Sequence, residues 1–304
     1  MPARKYTASE QAILTTIIYS DIFSFPLTKD ELWKFLISEK KIAREEFEKS
    51  LSLLQKIITY KNGYYCLFGR EDIIRKRQQN TSEVKKKMKR ARFAAKKLSR
   101  IPTIVFIGIS GGLAVENVTK DDDIDLVIIV KTNTLFMSRL LVLSLLQYLG
   151  IRRTRTLKKT ADTICTNLFF DDSALSWFGN HKDIYTAREI AQIVPLFERE
   201  EMYQKFIKAN IWIEKYLPNI RISEFSHPGK RVEGAHLGLK RFWTSQNDGF
   251  EYLARKLQMR IMKAHKTKEI VTKHVLAFHP NDYRVKALRQ LRLKMRQFGL
   301  LTNI

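Results

Sequence analysis

The stretch between residues 103 and 130 constrains the fold more than any other part of the chain. Two apolar runs, Thr103 to Ile109 and Ile124 to Val130, are continuous rather than helically spaced, which predicts two buried strands. Between them Ile107-Gly-Ile-Ser-Gly-Gly-Leu-Ala114 predicts a glycine-bearing turn and a short helix. The second run opens with Asp121-Asp-Asp-Ile-Asp125. Residues two apart on a strand project to the same side, about 6.5 to 7 Å apart. Asp123 and Asp125 therefore share one face, while Ile124, Leu126 and Ile128 occupy the other. Two carboxylates so placed repel each other unless a cation lies between them. Mg²⁺ suits such oxygen ligands, because it takes one or two protein carboxylates and completes its shell with water and substrate phosphates. Gly111 and Gly112 let backbone amides approach a phosphate closely, and a helix N-terminus adds positive potential.

Together these elements resemble the DNA polymerase beta-like nucleotidyltransferase superfamily, whose signature is a strand, a Gly-Gly or Gly-Ser turn, and an apolar strand bearing Asp-x-Asp. The match covers about Ile104 to Val130. The wider layout looks like bacterial proteins that place a winged-helix module before such a domain and helices after it. The resemblance implies that Asp123 and Asp125 bind Mg²⁺ or Mn²⁺, and that Ser110, Gly111 and Gly112 hold the triphosphate of an NTP. It further implies transfer of a nucleotidyl group to a hydroxyl acceptor with release of pyrophosphate. Two small departures are Gly112, where a serine is usual, and Asp122, where serine often precedes the first aspartate.

A larger departure concerns a third carboxylate, which the family commonly carries in the middle of a later strand. In Thr163 to Phe170 that place is held by Asn167, with Asp162 before the strand and Asp171 and Asp172 after it. Asparagine can coordinate a metal through its carbonyl, but it supplies neither charge nor a base. The alternative reading is therefore a catalytically inactive protein of this fold, acting as a nucleic-acid-binding or regulatory module. Arg139, on the helix predicted after the Asp-bearing strand, either reaches a donor phosphate or snorkels from a core helix among Leu140, Leu141, Val142 and Leu143.

The length of 304 residues suggests two or three domains. The fold class expected is α+β. Residues 1–80 read as helix, helix, helix, hairpin, resembling a winged helix-turn-helix, with a capping box at Thr28 and Glu31 and a type I′ turn at Asn62-Gly63. Its third helix carries Glu45, Glu46 and Glu48, a face that repels phosphate and favours protein contact or substrate positioning over DNA reading. Residues 81–100 form a basic connector helix, read equally as a solvated link or as one wall of a phosphate groove. Residues 101–185 form the nucleotidyltransferase-type α/β domain with a mixed sheet, and 186–304 a basic helical domain.

Charge follows this division. The net value of +24 concentrates in 81–100, at +8, and in 221–304, at +12, while 101–150 carries −2 and holds the aspartate pair. Such an excess suits NTP phosphates, nucleic acid or another polyanion. Arg152, Arg153 and Arg155 are open to either a polyanionic acceptor or solvent. Phe242, Trp243, Phe250 and Tyr252, among Lys240, Arg241 and Arg255, read as core or as a stacking surface for single strands. Arg-to-His spacings of five or six residues in this part, as from Arg260 to His265, are no more frequent than chance in so basic a chain. His274 and His279 read as packing or surface residues. Cys66 and Cys165 are too far apart for a CxxC metal site, which points to a reducing compartment. Met1 to Ser9 lacks the apolar core of a secretory signal, and Leu135 to Ile151 is interrupted by Arg139 and Gln147. A cytoplasmic protein without a membrane span is expected.

Overall fold

The computed structural model describes residues 6–154, 160–177, 181–220, 248–263, 270–278 and 282–300. Among these residues lie eleven α-helices, nine strands in two sheets, and a 3-10 turn at Ile211–Lys215, so the chain is mixed α and β. Among them no helix is long and apolar enough to cross a membrane.

The first elements are α1 (Ala8–Ile22), β1 (Leu27–Thr28), α2 (Lys29–Lys34), α3 (Arg44–Leu53), β2 (Ile58–Lys61) and β3 (Tyr64–Leu67). Thr7 and Glu10 cap α1 reciprocally, and Thr28 and Glu31 do the same for α2, so both helices start where the hydroxyl and carboxylate satisfy the first free amides. Asn62 and Gly63 both take positive φ, +51° and +86°, as a two-residue hairpin of this hand requires. The small sheet has the order β1-β3-β2, all antiparallel.

Next come α4 (Asp72–Gln79), α5 (Thr81–Leu98), β4 (Ile104–Ile109), α6 (Gly111–Ala114), β5 (Ile124–Val130), α7 (Leu135–Tyr148), β6 (Ile164–Asp171), α8 (Ile184–Ala191), β7 (Val194–Glu198), α9 (Met202–Ala209), α10 (Asp248–Lys263), β8 (Ile270–Val271), β9 (Val275–Ala277) and α11 (Asp282–Gln297). The large sheet has the order β7-β4-β5-β6-β9-β8 and is mixed. Only β5 and β6 run parallel, joined by the α7 crossover that parallel neighbours need.

Residues beyond 185, expected to be helical, instead supply three strands to this sheet: β7 pairs with β4, β9 with β6, and β8 with β9. The three are only two to five residues long, too short to establish a period. β7 also contains Pro195, whose missing N–H is tolerated because β7 is an edge strand.

Period-two alternation divides the core. Ile124, Leu126, Ile128 and Val130 of β5 pack on the side of α5, α7 and α10, with Ala91, Ala95, Val142, Leu146 and Ala254. Val127 and Ile129 face the other side, where they join a cluster running from Ile13, Ile17 and Leu32 of the N-terminal helices to Phe206 and Leu291 of α9 and α11. The N-terminal helices thus share one apolar core with the large sheet. Polar ties reinforce this docking: Asn219 bonds the backbone of Ile42 in both directions, Asn117 donates to the Phe23 carbonyl at 3.0 Å, and Asp21 accepts from both Arg70 and Lys294.

Candidate functional site

Asp125 sits on the same face of β5 as Val127 and Ile129, so its carboxyl faces the N-terminal helices, α8 and α11. That space holds a cleft of about 720 Å³. Ser110, Gly111, Gly112, Asp123 and Asp125 form one wall, and Tyr19, Phe23 and Phe25 from the first helix and its exit form another. Tyr185, Arg188 and Glu189 enter from α8, and Tyr283, Lys286 and Gln290 from α11. The loop before β5 is pinned from outside. Lys87 of α5, fully buried, donates to the carbonyls of Lys120 and Asp122 and to the Asp162 carboxylate at 2.9 Å.

Gly111 takes φ +64°, and a Cβ there would lie 2.7 Å from Oδ2 of Asp125. A Cβ on Gly112 would lie 2.7 Å from the Asn117 carbonyl oxygen. The turn therefore needs both glycines for closeness, and Gly111 for its positive φ as well. The Ser110 amide donates to the Asp125 carbonyl at 3.0 Å, which joins the turn to the strand. α6 then runs for a single turn, and the first amides of a helix have no partner within it.

Burial pushes the Asp125 carboxyl up to about 8, with the nearby Asp123 and Glu189 carboxylates adding to the effect. Such a group stays protonated at neutral pH unless a cation is bound beside it. Asp123 pairs with Arg153, which lies 3.5 Å from the Cys165 sulfur. Asp123, Asp125 and Cys165 place one ligand atom each within 4.8 Å of one another. Cys165 stands opposite Asp125 in the β5–β6 register and donates to the Asn167 carbonyl oxygen at 2.6 Å. Burial raises its thiol to about 12, a proton-bearing form that suits a hard cation poorly. The donor set that fits a divalent cation is thus the two carboxylates, with Gly111 leaving room against Asp125.

The sequence-derived residues separate in space. Asp123, Asp125, Ser110, Gly111 and Gly112 come together as expected from the strand period. Asn167 lies beside them, but its amide donates to Asp125 Oδ1, so it orients that carboxyl. Arg139 lies elsewhere: its guanidinium donates to Gln258 at 2.6 Å and covers the Phe278 ring, because that face of α7 packs on α10. It is not among the residues lining the cleft. The flanking acids are also engaged elsewhere. Asp162 binds Lys86 and Lys87, Asp171 binds His274, and Asp172 binds Thr132. No residue of α5 lines the cleft, so its lysines do not form a wall of it. Phe250, Tyr252 and Leu253 of α10 are exposed, whereas Lys240, Arg241, Phe242, Trp243, Arg155, His265 and His279 lie outside the described residues.

Sequence reasoning overlooks Glu189 and Arg188. Both fall within a short amphipathic helix whose period reveals only Ile184, Ala187 and Ile190 as core. Burial raises the Glu189 carboxyl to about 7, and it is close enough to Asp125 to raise that group in turn. The arrangement joins two neighbouring carboxyls, one of them paired with Arg153, a tight glycine turn and a further carboxyl that can exchange a proton near neutrality. Comparison with family models, curated proteins and solved structures finds no match for this chain.

Proposed function

We propose that this protein is a metal-dependent nucleotidyltransferase that moves a nucleotidyl group from an NTP to a hydroxyl acceptor in the cleft between β5, α1, α8 and α11. The observation that carries the reading is the half-buried Asp125 carboxyl, set against a Cβ-free Gly111 and sharing its strand face with Asp123. Mg²⁺ or Mn²⁺ held by Asp123 and Asp125 would supply charge neutralisation at the pyrophosphate leaving group. The chain's own groups do the rest. Gly111 and Gly112 receive the triphosphate on backbone amides with the Ser110 hydroxyl beside them, and Asn167 holds the Asp125 carboxyl in one orientation. Glu189 takes the proton of the acceptor hydroxyl, since a carboxyl held near 7 is poised for transfer at physiological pH.

The N-terminal elements follow the order of a winged helix, and we assign them to substrate positioning. Glu45, Glu46 and Glu48 are exposed on α3, whereas Tyr19 and Phe23 of the same module line the cleft. Exposed Lys85, Lys89, Arg92 and Lys96 on α5 offer a surface for nucleic acid or another polyanion away from the cleft. A second reading, a non-catalytic binding module, draws on the Asp123–Arg153 pair, which supplies Asp123 with a protein cation.

Thermal unfolding with Mg²⁺ or Mn²⁺ and each NTP separates the two readings. An enzyme gains stability from the metal and donor together, and Asp123→Ala with Asp125→Ala abolishes the gain. No shift with any NTP and metal would overturn the enzymatic reading. A radiolabelled-NTP transfer screen with the same pair of proteins then identifies the donor.

A further inference from the structure

Two of the three buried cations among the described residues have acceptors. Lys87 meets two carbonyls and a carboxylate, and Arg77 meets the Pro26 carbonyl and, through two bonds, Glu31. Arg188 does not follow this rule. Its side chain is 2% exposed, yet Nε and Nη1 have no acceptor, and it forms no ion pair among the described residues. The guanidinium is held by faces rather than edges, 4.2 Å from the Phe35 ring centroid and 5.5 Å from that of Tyr19. Stacking of this kind fixes the plane of the fork and leaves its N–H groups free to donate.

Arg188 also lines the cleft, on the α8 wall between the aromatic side chains of α1 and the next residue, Glu189. Glu189 lies near enough to feel the Arg188 charge but forms no ion pair with it. A buried guanidinium without acceptors is costly to the fold, and it is retained most readily where a ligand supplies the missing oxygens.

We propose that Arg188 anchors an oxyanion subsite that receives a phosphate monoester or carboxylate borne by the hydroxyl acceptor. The planar guanidinium fork matches an oxyanion that presents two oxygens to it, a carboxylate or one edge of a phosphate, and Tyr19, Phe23 and Tyr185 provide an apolar and aromatic flank for the rest of that molecule. Assignment to the acceptor rests on the nucleotidyltransferase reading; the oxyanion site itself does not. The subsite narrows the acceptor to small anionic molecules or phosphate-terminated chains.

The test uses the full chain in chelator-treated, metal-free buffer at constant ionic strength, with inorganic phosphate as the probe. Calorimetry and thermal unfolding are read for the wild type, Arg188→Met, Arg188→Lys and the Asp123→Ala/Asp125→Ala double variant. Phosphate is expected to bind and stabilise the wild type and the double variant alike. Arg188→Met is expected to bind at least tenfold more weakly while unfolding no earlier than wild type in phosphate-free buffer, because it removes an unpaired buried charge at similar volume. Arg188→Lys keeps the charge without the fork and should fall between them.

Unchanged phosphate affinity in Arg188→Met, or in Arg188→Lys should the former not fold, overturns the subsite. So does absence of phosphate binding to wild type, or early unfolding of Arg188→Met without phosphate, which marks a structural role. Repeating the titration with saturating Mn²⁺ and a non-hydrolysable NTP distinguishes the sources. Undiminished phosphate binding supports an acceptor site, whereas competition assigns the anion to the donor and overturns the acceptor assignment. If no NTP binds at all, the enzymatic reading fails while the phosphate result stands by itself.

Discussion

Gly111 and Asp125 touch across the gap between a turn and a strand so closely that a methyl group on Gly111 would lie 2.7 Å from Asp125 Oδ2. Gly111 also holds φ at +64°, a region that residues with a Cβ occupy at a cost. Gly111→Ala is therefore expected to rotate the Asp125 carboxyl and to destabilise the fold by about 1–3 kcal/mol. Mn²⁺ affinity should fall by a larger factor than stability suggests. Wild-type Mn²⁺ affinity in this variant, read by calorimetry, would show that the close approach has no bearing on the carboxylate pair.

Asn167 offers a gain-of-ligand experiment. Its amide donates to Asp125 Oδ1, so Asn167→Asp replaces a donor with a third carboxyl. Above about pH 8, where Asp125 ionises, the metal-free protein is expected to lose about 1–3 kcal/mol, since a hydrogen bond is replaced by repulsion between charged carboxylates. Mn²⁺ affinity should rise by roughly tenfold with the added ligand charge. A variant that is destabilised and also binds metal more weakly would show that orienting Asp125 matters more than charge.

Glu189 makes stability depend on pH in a defined direction. Burial raises its folded pKa from 4.5 to about 7, so ionisation opposes folding. The stability linked to this group is complete below about pH 4.5, declines as pH rises towards 7, and is level above that. The difference amounts to about 3 kcal/mol. Urea midpoints of metal-free Glu189→Gln should lack this part of the slope. Asp125, held up to about 8, contributes a slope of the same sign that remains. Parallel pH profiles for wild type and Glu189→Gln would refute the assignment.

Lys87 links the connector helix to the site without touching the cleft. Its ammonium satisfies two carbonyls of the loop before Asp123 together with Asp162. Lys87→Met is expected to cost about 2 kcal/mol by leaving these acceptors unpaired. Mn²⁺ affinity should weaken as the loop loosens. Lys86→Met serves as the control: its exposed side chain also reaches Asp162, where solvent screens the pair and its loss should change stability little. Equal losses in the two variants would count against a positioning role for Lys87.

The readable parts of this molecule are those governed by neighbours in the chain. The capping box at Thr28 and Glu31, the Asn62-Gly63 turn and the shared face of Asp123 and Asp125 follow from spacing of one to three residues, and the structure contains each of them. β7, β8 and β9 escape that kind of reading. Val194 to Glu198 holds a proline, and the strands at Ile270 and Val275 are two and three residues long, so their pairing partners alone make them strands.

Charged residues divide in the same manner. In sequence, Lys87 is one lysine among eight basic residues between 85 and 97; in the structure it is fully buried while Lys85, Lys86 and Lys89 stay in solvent. Arg139 and Arg188 are both arginines within apolar helices. Packing on α10 gives Arg139 a glutamine and a ring, whereas packing against Tyr19 and Phe35 leaves Arg188 with rings alone. Chain order by itself determined the strand that bears the carboxylates and the turn that approaches them, because backbone periodicity acts over a few residues. Tertiary packing decided which carboxyls lose their water, which cations gain partners, and that α1 and α8 close the cleft. Those outcomes depend on burial and pairing by segments thirty or more residues away, and no local pattern encodes them.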